Sequence, residues 1–141
     1  MITISESNPY DYGLIANGGV TDHTFTLTNS GASSATALSE TGIGVPFRYL
    51  GGTYPGTGGT CGLTLGGGAT CTIVVEFAPS STGPFSDTID FAYNNGAAAA
   101  TATRDIQATS GTPATLTISE TDPYNYGTFA QGSSTDHTFN I

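Results

Sequence analysis

The sequence predicts an all-β fold, an antiparallel β-sandwich of seven to eight strands that belongs to a tandem-repeat array. Apolar and polar residues alternate with a period of two along most of the chain, which is typical of half-buried strands. Gly, Asn and Pro interrupt this pattern every ten residues or so, and no segment shows a convincing helical period. A phrase near the start of the chain also returns near its end.

Each strand is predicted from the alternation of apolar and polar residues within its own segment. In "TDHTFTLTN" the side chains of His23, Phe25 and Leu27 share one face, and threonines occupy the other. Strands with one apolar face are typical of an antiparallel sheet that covers a core on one side. The predicted strands are residues 2–5, 10–15, 21–29, 34–40, 45–50, 71–77, 85–93 and 97–109.

Two segments of this pattern carry particular expectations. In "CTIVVEF" the alternation predicts that Val74 and Glu76 face outward. The alanine run at 97–102 favours a helix by propensity alone. However, "NNG" just before it is a strong signal for a tight hairpin, because Asn and Gly tolerate positive φ. We therefore predict that this run pairs with the strand that precedes it.

The repeated phrase predicts the domain organisation. "ISESNPYDYG" returns as "ISETDPYNYG", and the match runs without a gap from Ile2 to Leu27 at an offset of 114 residues. A unit of this length is an ordinary size for a domain with its own core. We predict one complete repeat in residues 1–113 and the first strands of a second, truncated repeat in residues 114–141.

Charge is scarce and mostly negative. The chain has no lysine, two arginines, eleven acidic residues and a net charge of -9. Such a chain repels phosphate, so we expect no nucleic-acid partner and no anionic membrane surface. No apolar run reaches the ~20 residues of a membrane span, so we expect no direct membrane insertion. We expect a signal sequence and an anchor on the parent chain, outside these residues.

Cys61 and Cys71 lie in a glycine-rich segment. They could form a disulfide, remain as two free thiols or supply half of a metal site. Zinc would need further Cys or His ligands, and the two histidines, His23 and His137, occupy equivalent positions in the two copies. We favour the disulfide, which implies an oxidising compartment.

The sequence also resembles a known family. "YGLIANGGVTDHTFTLTNSG" is similar to the opening of choice-of-anchor D repeats of bacterial surface proteins, which are relatives of the ASH (abnormal spindle and Hydin) modules. "CGLTLGGGATCTIVVEFAPSSTGPFSDTIDFAYNNG" resembles the second half of the same repeat. The resemblance implies an immunoglobulin-like sandwich, export to the bacterial cell surface and no catalytic residues. The sequence departs from the family pattern in a longer insert at 51–62, "GGTYPGTGGTCG".

We predict no catalytic residues and no enzyme activity. Asp22 and His23 recur in both copies, but neighbours on a strand point to opposite faces, so they cannot form a dyad. We expect His23 to be structural. The chain contains no Gly-Lys-Ser/Thr phosphate loop and no Gly-x-Ser-x-Gly nucleophile elbow.

Two sets of residues are candidates for ligand contact. Calcium takes carboxylate and carbonyl oxygens, and the weak candidates for its ligands are Glu6, Asp11, Glu120 and Asp122. No calcium-loop motif is present, so we expect turn-capping roles for these residues and no cofactor. Tyr49 and Tyr54, near the insert, are the candidates for stacking on a sugar or contacting a protein ligand.

The second copy is expected to expose strands without a core to cover them. Its residues 115–141 could dock on the first repeat, or they could replace residues 2–27 in another molecule by strand exchange and form a homo-oligomer. The residues expected to mediate these contacts are Tyr124, Tyr126, Phe129, Phe139 and Ile141.

The function predicted from the sequence is a non-enzymatic structural repeat of a long extracellular stalk or fibre on a bacterial surface. Its partners would be the neighbouring repeats of the same chain, and its task would be to space a functional tip from the cell. Two alternatives stay open. One is a glycan- or protein-binding module that acts through the 51–62 loop, and the other is a self-assembling fibre subunit that exchanges strands through residues 115–141.

Overall fold

A computed structural model describes residues 1–141 and confirms the all-β sandwich. One sheet has the strand order β1-β3-β7-β5, and the other has the order β2-β9-β8-β4-β6. The structure contains no helix long and apolar enough to cross a membrane. The strands are β1 (Ile2–Ile4), β2 (Tyr10–Ala16), β3 (Thr21–Asn29), β4 (Ala35–Glu40), β5 (Phe47–Tyr49), β6 (Thr64–Leu65), β7 (Thr70–Phe77), β8 (Gly83–Asn94) and β9 (Ala99–Gly111).

The nine strands exceed the predicted seven to eight because β6 is too short to give a sequence pattern. It contributes two residues, which pair with Ala35 and Thr36 at the start of β4. One pairing also departs from the antiparallel prediction, since β2 runs parallel to β9. The chain crosses from one sheet to the other between β1 and β2 and continues in the same direction, so β2 and β9 point the same way.

The core lies between the two sheets and is built by the alternation seen in the sequence. Phe25 and Leu27 of β3 are fully buried, whereas Thr24 is exposed and Thr26 is partly exposed. The largest fully buried side chains come from both sheets: Phe25, Phe47, Phe77, Phe91, Leu27, Leu38, Ile73, Ile89, Ile106 and Val75. Burial of side chains of this size is the main source of stability of such a domain.

The alanine run forms a strand, as predicted, and pairs with β8 in a hairpin. The loop between them runs from Asn95 to Ala98, and the Asn95 N–H donates to the Ala98 carbonyl at 3.0 Å. The Asn94 side-chain oxygen accepts a hydrogen bond from Gly96 N–H at 2.8 Å, and Gly96 has a φ of 96°. The turn therefore requires positive φ, which explains the glycine.

The segment that joins β1 to β2 is fixed by β9. The Arg104 guanidinium donates to the carbonyl of Ile4 at 2.6 Å. The side-chain oxygen of Asn8 accepts from Asp105 N–H at 2.8 Å. The chain is thus held at the point where it leaves one sheet for the other.

The first and last strands of the repeat place its two termini at opposite ends of the sandwich. Ile2 pairs with Asn29 at one end, whereas Gly111 pairs with Ala16 at the other. The last strand, β9, has 13 residues and is the longest of the nine. At about 3.3 Å per residue, the two ends lie about 40 Å apart.

Asn29 is a buried polar residue at the end of β3, with 2% of its surface exposed. Its amide nitrogen donates to the carbonyls of Ser33, Leu65 and Gly66 at 2.9 to 3.1 Å. Its side-chain oxygen accepts from Gly31 N–H at 3.0 Å. One side chain therefore satisfies backbone groups from two separate loops.

Replacing Asn29 by alanine should lower the free energy of unfolding by about 2–3 kcal/mol, because it leaves buried backbone groups without partners. Urea denaturation followed by far-UV circular dichroism measures the loss. Thr3→Ala, at an exposed position of β1, is the control and should change stability by less than about 0.5 kcal/mol. Equal stability of the two variants would contradict this role for Asn29.

Candidate functional site

The glycine-rich insert runs along the free edge of β7. Leu50 N–H donates to the Val74 carbonyl at 3.0 Å, and Val74 N–H donates to the Pro55 carbonyl at 2.8 Å. Further along, Thr60 N–H donates to the Thr72 carbonyl at 2.9 Å. The insert therefore continues the edge pairing that the short strand β5 begins, and it covers backbone groups that another chain could otherwise bind.

Val74 and Glu76 lie outside the core cluster, in line with the predicted outward phase, but they are only 5% and 8% exposed. Both side chains do point away from the core, but other residues cover them. The insert lies against Val74 at Gly56. The Arg48 guanidinium bonds to the carboxylate of Glu76, which also lies opposite Asp22 in the sheet.

Gly56 shows why the insert needs glycine. Its φ is 89°, and a Cβ at this position would lie 2.2 Å from the Val74 carbonyl oxygen. Any larger residue would have to push the insert away from the edge of β7. The glycine content of the insert thus reflects close approach of two backbones.

The structure confirms the disulfide between Cys61 and Cys71. Both cysteines are buried, with exposed fractions of 5% and 8%. The bond ties the end of the insert to the first residues of β7. It acts on the same edge as the backbone hydrogen bonds of the insert.

Tyr49 and Tyr54 tie the insert to the core. Their rings meet edge to face at 5.5 Å, and the Tyr54 ring lies 5.8 Å from that of Phe91. Tyr49 is 7% exposed, whereas Tyr54 is partly exposed and donates its hydroxyl to the Gly62 carbonyl at 3.2 Å. Burial raises the pKa of both hydroxyls. Tyr54 is therefore the tyrosine of the two that has appreciable surface to offer a ligand.

A cluster that we call the polar corner forms where residues 5–9 meet β3. The rings of Tyr10 and His23 stack at 4.1 Å, and the edge of Phe25 closes the stack. Glu6 adopts a φ of 77° and places its Oε1 3.3 Å from His23 Nε2. Burial, Glu6 and Asp11 raise the pKa of the Tyr10 hydroxyl, so it is not activated as a nucleophile.

The calcium candidates of the first copy make other contacts. Glu6 lies beside His23. Asp11 accepts from Gly13 N–H at 2.7 Å and from the side chain of Gln107 at 3.0 Å. These bonds, with Gln107 as the larger cause, lower the pKa of Asp11. The structure brings together no group of three or more His, Cys, Asp or Glu residues that could hold a metal ion.

The second copy repeats the polar corner in detail. Tyr124 and His137 stack at 4.2 Å, and Glu120 lies 3.2 Å from His137 Nε2. The Tyr124 hydroxyl also lies 3.0 Å from His137 Nδ1, a hydrogen bond that Tyr10 and His23 do not make. Glu120 has a φ of 76°. The other carboxylate candidate of this copy, Asp122, is exposed and lies outside the cluster.

Two of the exchange candidates of the second copy are exposed where their counterparts are buried, and Tyr124 is partly buried like Tyr10. Phe139 is 42% exposed, and its counterpart Phe25 is 0% exposed. Ile141 is 83% exposed, and its counterpart Leu27 is also 0% exposed. The candidates Tyr126 and Phe129 are also exposed, as are the apolar residues Leu116 and Ile118 of the same copy. Part of this surface is concave, since Ile118, Tyr124 and Phe139 form the apolar wall of an open depression of about 520 Å³.

Sequence reasoning missed the role of Arg104. Its position between Ala102 and Ile106 places it on the inward phase of β9, and both of these neighbours are buried. A single cation on the apolar phase of a strand was the available signal, because a charge turned toward the core needs a dedicated partner. The partner is the carbonyl of Ile4.

The family described as HYDIN/CFA65/VesB-like, Ig-like domain matches residues 4–109. The fold is similar to that of the VesB protease of Vibrio cholerae, at 20% identity and a TM-score of 0.57, over 75% of this chain and 31% of that one. It is also similar to the ASH / PapD-like domain 7 of human CEP192, at 14% identity and a TM-score of 0.52, over 80% of this chain and 87% of that one. No curated protein matches the chain.

Removing the disulfide should loosen the insert as well as the whole fold. For a loop of this length, Cys61→Ser with Cys71→Ser should lower the free energy of unfolding by up to about 3 kcal/mol. Hydrogen exchange at Thr60 and Val74, whose amides hold the insert to β7, should accelerate more than exchange in β8. Denaturation with and without reductant is the control, since reductant should no longer affect the variant. Unchanged exchange at these two amides would contradict the role of the bond in holding the insert.

Asp11→Asn should make the free energy of unfolding fall less steeply as the pH is lowered. The folded state lowers the pKa of Asp11 below its ordinary value, so its contribution is present above the unfolded pKa and is lost as the pH falls through the folded pKa. The turn should survive, because Asn125 accepts from Gly127 N–H in the second copy at 2.8 Å.

Thermal unfolding between about pH 2 and pH 6 measures this effect, since that range spans the ordinary carboxyl pKa values. Asp122→Asn, at an exposed position, is the matched control and should leave the profile unchanged. A wild-type profile parallel to that of Asp11→Asn would show that the hydrogen bonds of Asp11 do not favour its ionised form.

Proposed function

Since the chain belongs to the family of HYDIN/CFA65/VesB-like Ig-like domains, we propose that it is a structural repeat of an extracellular bacterial surface protein. It acts as one bead of a stalk or fibre and spaces a functional tip from the cell. Within the family, we assign it to the choice-of-anchor D type of repeat. Its direct partners are the repeats before and after it in the same chain.

One observation carries this proposal. The repeat starts at one end of the sandwich and leaves it at the other, about 40 Å away by the length of β9. Five residues after β9 ends, the sequence begins the same segment again at Leu116. Repeats joined in this way stack end to end, so each one adds its full length to the array.

The covalent chemistry of the domain supports a place outside the cell. A disulfide persists in oxidising compartments and is rare in the cytosol of most organisms, and here it braces the edge of a sheet. The surface is kept polar by Thr, Ser, Gly and Asn, and charged residues make up 9% of the chain. The chain has no lysine and two arginines, so it offers few sites for trypsin-like cleavage.

The polar corner supports a structural role over a catalytic one. It combines a carboxylate, a histidine and a tyrosine, which are residue types found in active sites. However, the raised pKa of Tyr10 disfavours its phenolate, and the rings of Tyr10 and His23 are packed against Phe25. The same cluster recurs in the second copy, as expected for a folding element of each repeat.

A binding module that acts through the 51–62 insert is the second candidate, and the partial exposure of Tyr54 favours it. Trimming the insert would not test this function cleanly, because the insert pairs with β7 and its loss would expose that edge. Thr53→Arg is a better variant, since Thr53 is exposed next to Tyr54. It would block a ligand and leave the pairing intact.

Chains made of two, three and four copies of residues 2–115 should lengthen by about 40 Å per copy, because the repeats join end to end. Small-angle X-ray scattering measures the maximum dimension. Addition of a calcium chelator should not change it.

A maximum dimension that hardly grows with copy number would contradict the spacer. Binding of the single-repeat chain to a glycan array that is lost in Thr53→Arg would instead support the binding module. The thermal stability of Thr53→Arg must equal that of the wild type for this comparison to hold.

A further inference from the structure

Residues 116–141, which we call the docking segment, closely match in sequence a segment whose site is visible in the structure. Their counterparts, residues 2–27, form β1, β2 and most of β3 and contribute to both sheets. In that place Phe25 pairs with Ile73 of β7, and Tyr10 pairs with Ile106 of β9. We call the remainder of the repeat, residues 28–111, the body.

The docking segment keeps the side chains that the body contacts. Ile118 matches Ile4, which is 4% exposed and belongs to the core cluster. Tyr126 matches Tyr12, whose hydroxyl donates to the Val75 carbonyl at 2.9 Å. The remaining changes on the apolar face replace one apolar residue by another: Ile2 by Leu116, Ile15 by Phe129 and Leu27 by Ile141.

The docking segment forms no strand of its own, but it keeps local contacts of residues 2–27. The Ser119 N–H donates to the Asn140 carbonyl at 2.9 Å, as Ser5 N–H does to the Thr26 carbonyl at 2.9 Å. The stacked rings of its polar corner lie 4.2 Å apart, against 4.1 Å in the first copy. Contacts that are already formed reduce the conformational freedom that the segment loses when it binds.

The docking segment cannot reach the body of its own chain in the correct orientation. Its first residue would have to lie at the position of Ile2, where the Ile2 N–H donates to the hydroxyl of Tyr93, and Tyr93 pairs with Ala100. From there to Gly111, β9 extends over 11 residues (111 minus 100), or about 36 Å. The five residues from Gly111 to Leu116 span at most about 18 Å.

We propose that residues 116–141 dock on the body of a second copy of this chain, in the place that residues 2–27 of that copy occupy. The two segments compete for one place. Residues 2–27 are joined directly to their own body, so their effective concentration is high and they hold the place most of the time. Exchange therefore grows with protein concentration and with any change that weakens residues 2–27.

A cross-link in the otherwise unchanged chain detects even a small exchanged fraction. Asp11 and Gln107 are register partners on β2 and β9, so Asn125 of one copy should lie opposite Gln107 of another. Gln107→Cys with Asn125→Cys should give covalent dimers and higher species under mild oxidation, in amounts that rise with concentration. Gln107→Cys with Ser133→Cys, an exposed position out of register, is the matched control. Equal cross-linking of the two pairs would overturn the proposal.

Weakening residues 2–27 should drive the exchange. Phe25→Asp with Leu27→Asp should leave folded protein that forms concentration-dependent oligomers in light scattering after size exclusion. Adding Phe139→Asp and Ile141→Asp should abolish those oligomers, whereas these last two changes alone should leave a folded monomer. The proposal is overturned if Phe25→Asp with Leu27→Asp is no more folded and no more associated than the fourfold variant. It is also overturned if the oligomers form but Gln107→Cys with Asn125→Cys does not cross-link them.

Discussion

The fold depends on the passage of the chain from one sheet to the other between Ile4 and Tyr10. Because of this passage, residues 2–27 supply two strands to one sheet and one strand to the other. Arg104 holds the passage at its start, and Tyr12 bonds across the core to the carbonyl of Val75 in the opposite sheet. Neither sheet is complete without this segment, so the sandwich closes only when it is in place.

The second constraint is the edge of β7, and here the scarcity of charge matters. Many sheet proteins protect an edge with lysine, but this chain has none. The insert protects the edge instead, with its own backbone, and Gly56 permits the close approach. The disulfide then fixes the end of the insert beside Thr70 and Thr72. The insert, which belongs to the longest irregular segment of the repeat, therefore protects the edge of the sheet.

The period-two pattern was enough to predict the sandwich, the β8–β9 hairpin and the inward face of β3, because each depends on local alternation or turn chemistry. The burial of Val74 and Glu76 could not be predicted, since it depends on a loop that folds over them from far along the chain. The parallel β2–β9 pair depends on the same kind of distant contact. Of the candidate residues, the disulfide was predictable from composition. The partners of Arg104 and Asn29 could not be predicted, because they are backbone groups that carry no sequence signal.

The two copies of the polar corner separate what a segment determines locally from what the rest of the domain adds. Tyr124, His137 and Glu120 adopt the same mutual arrangement as Tyr10, His23 and Glu6, although Phe139 beside them is 42% exposed. The sequence of the segment therefore determines these local contacts, while the body buries its apolar side chains. An array of such repeats presents similar segments to similar bodies, and their side chains distinguish them poorly. The covalent connection between a segment and its own body selects the correct pairing instead, because it raises the effective concentration of that segment at that body. A short linker adds to this effect, since it keeps the next segment too far away to compete within the same repeat.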